Sequence, residues 1–81
     1  MQHRIPPHNL EAEQSLLGSI LVDQDSLAKV ADAVRPEDFY RESHRIIFDT
    51  ILDLFDRHEP IDLLTLGNRL EETKKLTDVG G

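Results

Sequence analysis

With 81 residues the chain forms one domain at most, and a hydrophobic fraction of 38% with only 5% aromatics limits its core to Leu, Ile, Val and three Phe. It has no cysteine, so neither disulfides nor thiolate metal ligands can brace so thin a core, and association with other subunits is the expected support. Sixteen acidic against nine basic residues give a formal net charge of -7, and the basic ones are scattered apart from Lys74 and Lys75, so no phosphate-tracking patch is evident and protein partners are expected over direct nucleic-acid binding.

Residues Met1 to His8 show no periodicity, and Pro6-Pro7 predicts an extended, stiff arm. Asn9 stands where a helix N-cap belongs, with Glu11 and Glu13 in the first turn complementing the helix dipole. A first helix is expected from there to about Val22. At 100° per residue, Leu10, Ala12, Leu16, Leu17, Ile20 and Leu21 share an arc that should face a core. Glu13 falls inside that arc, and Gly18 at its edge suggests close approach of another helix.

Asp23-Gln24-Asp25-Ser26 breaks the pattern and offers two caps for a short second helix carrying Leu27, Val30, Ala31 and Val34. Pro36 should stop it by Arg35, and Pro36-Glu37-Asp38 should begin a brief helical turn that carries Phe39 and Tyr40. The third helix, about Glu42 to Arg57, has the clearest stripe: Ile47, Phe48, Ile51, Leu52, Leu54 and Phe55, with Arg45, Asp49, Asp53, Asp56 and Arg57 opposite. Pro60 ends it and Asp62 is placed to cap a fourth helix striped by Leu63, Leu66 and Leu70 towards Leu76, with Gly67 again suggesting close packing. Val79-Gly80-Gly81 ends abruptly, which fits either a truncated domain or a frayed natural terminus. No stretch alternates with period two, so the fold class is all-α: a small bundle of about four main helices plus a short turn, with 1–8 as an arm and 9–81 as a helical head.

No catalytic, cofactor or metal residues stand out. The four histidines form no Glu-x-x-His or His-Glu-x-x-His pattern, the four glycines make no phosphate loop, and no Gly-x-Ser-x-Gly elbow is present. His44 projects into the apolar arc of the third helix, and Glu13 is the other polar intruder. Either they pair, directly or through Arg45, or each reaches solvent near its helix start. Ile46 projects onto the charged face and Leu64 away from the main stripe. Clustered with Phe39 or Tyr40, they would mark a partner surface. No apolar run approaches the roughly 20 residues that span a bilayer, and the N-terminus has no signal-peptide stretch. With the lack of cysteine, this gives a cytoplasmic expectation and no membrane partner.

The run Ile5-Pro6-Pro7-His8-Asn9-Leu10-Glu11-Ala12-Glu13-Gln14-Ser15-Leu16-Leu17-Gly18 closely resembles the start of the N-terminal domain of DnaB-type bacterial replicative DNA helicases. The resemblance continues through Asp38-Phe39-Tyr40, His44 with Ile47-Phe48, Pro60-Ile61-Asp62, Thr65-Leu66 and Val79-Gly80-Gly81, so that it covers Arg4 to Gly81. Ser43 departs from the family, where many members have a proline before the histidine.

The resemblance implies a helical head that continues past Gly80-Gly81 into a final helix and a helical hairpin. It implies a role in DNA replication through self-association, as dimer or higher and as hexamer in the parent, and through recruitment of primase and a helicase-loading protein. ATP and Mg would belong to the C-terminal motor domain, with no cofactor in this part and no enzyme activity of its own. An unrelated helical adaptor and a small hydrolase or metal enzyme are the rival readings.

Overall fold

The computed structural model describes residues 9–79, so the expected arm Met1–His8 and the terminal Gly80-Gly81 lie outside it. The described residues form helices α1 (Leu10–Val22), α2 (Asp25–Val30), α3 (Glu42–Asp56) and α4 (Leu63–Glu72), with 3-10 turns at Pro36–Asp38 and Thr77–Val79. None of them forms a strand.

Local chemistry explains most of the boundaries. Asn9 Oδ1 accepts a hydrogen bond from the Ala12 amide at 3.0 Å, supplying a partner for one of the donors that a helix start leaves unpaired. After α1, Asp23 Oδ1 accepts from the Asp25 amide at 3.0 Å and turns the chain into α2. Pro36 holds Arg35 extended (φ -120°, ψ 158°), and Asp38 Oδ2 accepts from the Arg35 amide at 2.9 Å across the 3-10 turn. Asp62 Oδ1 accepts from the Thr65 amide at 2.8 Å and starts α4. That bond holds the Asp62 carboxyl below the ordinary aspartate range.

Both longer C-terminal helices end on a residue in the left-handed region. His58 (φ 59°) closes α3, where the Glu59 amide donates to the Leu54 carbonyl at 3.0 Å. Lys74 (φ 62°) closes α4, where the Lys75 amide donates to the Leu70 carbonyl at 2.7 Å. This geometry takes up the last carbonyls of a helix and is usually given to glycine, so both side chains occupy a costly conformation.

The core joins Leu17 and Ile20 of α1, Leu27 of α2, Phe39, Phe48, Ile51 and Leu54 of α3, Ile61, and Leu66 and Leu70 of α4. Helix α3 is the hub: it packs against α1, α4 and both 3-10 turns, while α2 packs on α1. The Phe39 and Phe48 rings meet at 5.1 Å, tilted by 39°.

Several expectations from periodicity are corrected. The second helix stops within the expected bound but already at Val30, so that Ala31 and Val34 follow in turns, held by the Val34 amide donating to the Val30 carbonyl at 2.9 Å. Ala12 is exposed, so the buried arc of α1 is narrower than the apolar one. Phe55 (45% exposed) and Leu63 (74%) lie outside the buried part of their stripes, near the end of α3 and at the start of α4. Ile46 is half-buried against the core and does not belong to a charged face. A Cβ built on Gly18 or Gly67 would meet nothing within 4 Å, so neither glycine permits a close helix approach.

Candidate interaction surface

The best-defined polar constellation joins α1 to the start of α3. Glu13 lies in the first turn of α1 with its side chain 13% exposed, and His44 lies in the first turn of α3 at 7%. His44 Nδ1 donates to Glu13 Oε1 at 2.7 Å. An ionised carboxylate can only accept, so Nδ1 carries the proton. Glu13 Oε2 accepts from the Tyr40 amide at 2.7 Å, and Oε1 lies 3.5 Å from the Arg41 amide.

Burial pushes the Glu13 carboxyl up. The hydrogen bonds from the Tyr40 amide, the His44 ring and the Arg41 amide outweigh it and hold the group below the ordinary glutamate range. Helix α3 has no side-chain cap from its own Arg41. The carboxylate of Glu13, 28 residues before Arg41, lies instead at the positive end of the helix dipole, bonded to the amides that lead into the helix.

Arg45 completes the arrangement without bridging Glu13 and His44. Its Nε donates to the Phe39 carbonyl at 2.7 Å and its Nη2 to the Tyr40 carbonyl at 3.0 Å. The Phe39 ring meets the His44 ring edge-on, with centroids 6.3 Å apart and planes at 78°. The segment 39–41 is thus gripped from both sides, by a carboxylate on its amides and a guanidinium on its carbonyls. This arrangement positions helices. Grooves of about 450, 350 and 490 Å³ occur elsewhere on the molecule, and neither Glu13 nor His44 lines any of them.

The four residues considered for a partner surface are not brought together. Phe39 is 3% exposed and belongs to the core, which removes it from any docking face. A residue in a connection carries no helical period, so its burial has no signature in the sequence. Ile46 is half-buried, Tyr40 is 55% exposed and Leu64 is 75% exposed. Tyr40 precedes α3 and Leu64 follows it, and that 15-residue helix is about 22 Å long. Sequence reasoning offered Arg45 only as a bridge between Glu13 and His44, and missed its bonds to the Phe39 and Tyr40 carbonyls and the part played by the Tyr40 and Arg41 amides.

A second polar link ties α4 to α3. Arg69 Nε donates to Asp53 Oδ2 at 2.7 Å, and Nη1 to Glu72 Oε1 at 3.2 Å. The two carboxylates raise the Arg69 pKa, Asp53 more strongly. Among the described residues no group of three or more His, Asp or Glu could hold a metal ion, and no helix is long and apolar enough to cross a membrane.

The family model of the DnaB-like helicase N terminal domain matches residues 5–81. The chain belongs to the DnaB-like helicase N-terminal domain family. The chain is similar to the replicative DNA helicase DnaC of Bacillus subtilis, 43% identical over 81 residues, which are all of this chain and 18% of that protein. The replicative DNA helicase DnaB of Buchnera aphidicola subsp. Schizaphis graminum is 46% identical over 77 residues, 95% of this chain and 17% of that protein. The crystal structure of the N-terminal domain of DnaB helicase from Mycobacterium tuberculosis superposes with a TM-score of 0.89 at 44% identity, covering 95% of this chain and 56% of that one. The chain therefore spans under a fifth of these helicases and just over half of the solved DnaB N-terminal chain.

Proposed function

We propose that this domain is the protein-interaction and assembly head of a replicative DNA helicase and acts in DNA replication through its partners. The observation that carries the reading is the family match along nearly the whole chain together with the common fold. The head associates with copies of itself into the collar of a hexamer and receives primase and a helicase-loading protein in the cytoplasm. By linking these modules it raises the local concentration of primase at the fork.

ATP and Mg serve the C-terminal motor domain of the parent. Its unwinding activity lies there and not in this part. The net charge of -7 supports proteins over nucleic acid as what the head meets.

The test measures association of the full N-terminal region with itself by light scattering and with primase by calorimetry. Self-association and saturable primase binding are expected. No interaction with either overturns the reading.

A further inference from the structure

Among the described residues five large hydrophobic side chains are exposed, and four of them flank the connections from α1 to α2 and from α3 to α4: Val22 (89%), Phe55 (45%), Leu63 (74%) and Leu64 (75%). A groove of about 490 Å³ brings the two connections side by side, since Gln24 lines it together with Phe55, His58, Glu59, Pro60 and Ile61. Leu63 and Leu64 follow two residues after Ile61. Side chains this exposed contribute little to the isolated fold, and several of them beside two adjoining connections mark a contact site.

The charge around this apolar end is one-sided. Asp23, Asp25, Asp56, Glu59 and Asp62 are acidic, and the single guanidinium, Arg57, is bound to Glu59 at 2.8 Å. We propose that this end is a docking surface for an amphipathic helix of a partner protein whose apolar stripe is flanked by Lys and Arg. The assignment rests on the reading of the domain as an interaction head and says where, and for what chemistry, it docks.

The form of the occupant follows from the backbone. None of the described residues forms a strand that an extended peptide could extend. The amides at this end are also engaged: Asp25 by Asp23, Thr65 by Asp62, and Glu59 by the Leu54 carbonyl. An extended peptide would bury backbone groups without partners, whereas a helix satisfies its own. A second copy presenting the same end would set acid against acid, and the same sign repels nucleic acid and anionic lipid.

The test titrates the isotope-labelled 81-residue chain with a designed amphipathic peptide of about four helical turns, Leu on one face and Lys and Arg beside it. A counterpart carries Glu in place of the basic residues. The basic peptide shifts the amide resonances around Val22, Phe55, Leu63 and Leu64 and binds more weakly as salt is raised. Leu64→Ser and Val22→Ser each weaken it about tenfold, the size of one lost Leu or Val burial, without moving the urea midpoint of the free domain.

Equal binding of both peptides, shifts confined to another face, no binding, or indifference to Leu64→Ser overturns the proposal. So does sedimentation that shows a dimer of the chain dissolved by Leu64→Ser, which would make the occupant a second copy. The titration uses neither primase nor self-association. Failure of those interactions with intact peptide binding removes the assembly reading alone, and the reverse result removes the docking surface alone.

Discussion

Glu13 offers the most searching test of how the head holds together. Glu13→Ala removes the carboxylate that the Tyr40 amide and His44 Nδ1 bond to, each 2.7 Å from one of its oxygens. Leaving a buried donor unsatisfied costs about 1–3 kcal/mol, and more where the lost partner was charged. The Glu13 side chain is still 13% exposed and water can reach the Tyr40 amide, which holds the expectation for the two donors together to about 2–4 kcal/mol.

Glu13→Gln should cost less. The amide oxygen can accept from Tyr40 while His44 changes tautomer and accepts from the amide nitrogen. What is lost is the charge assistance, about 1–2 kcal/mol.

The sign of the pH dependence follows from the depressed carboxyl. A group ionised more readily in the folded state stabilises the fold above the ordinary glutamate range, and this stability is lost as pH falls through the lower, folded value. The parent should lose stability between about pH 6 and pH 3 more steeply than Glu13→Gln, and the two should converge at the acid end. Urea unfolding followed by circular dichroism across this range measures all three proteins. Glu13→Ala within about 0.5 kcal/mol of the parent, or an unchanged acid limb in Glu13→Gln, would refute the reasoning.

The two left-handed residues predict gains. His58→Gly and Lys74→Gly remove the Cβ penalty at φ 59° and 62°, and each should stabilise by about 0.5–1 kcal/mol after the extra chain entropy of glycine, read as a higher urea midpoint. Phe39→Ala should cost about 3–5 kcal/mol, because the ring is 3% exposed and packs on Phe48; a loss below about 1 kcal/mol would return it to the surface. Asn9→Ala should cost about 1 kcal/mol through the lost cap on Ala12, with Asn9→Asp retaining most of it in the same assay.

The parts of the fold governed by neighbours in sequence were legible. Asn9 and Asp62 cap through bonds three residues long, Pro36 holds Arg35 extended and opens a 3-10 turn by its own geometry, and the period of α3 shows in Phe48, Ile51 and Leu54. Glu13 and His44 stand out because a polar side chain on an apolar arc needs a partner, and two such residues on two helices suggest each other. They lie 2.7 Å apart.

What escaped depends on where one element stops covering another. Leu63 shares the angular position of Leu66 and Leu70 but lies 74% exposed, since period says which face is apolar and not how far the neighbour extends. Phe39 is its converse, a core residue in a connection with no period to reveal it. The family resemblance implied an assembly role but did not locate the apolar end at Val22, Phe55, Leu63 and Leu64.

The grip on residues 39–41 also bears on how the head responds to load. Since the same three-residue segment is bonded to a side chain of α1 on one flank and of α3 on the other, neither helix can swing independently at that end. A tug on the amino-terminal rod should therefore travel through the head as a displacement of the whole block, making it a lever instead of a hinge.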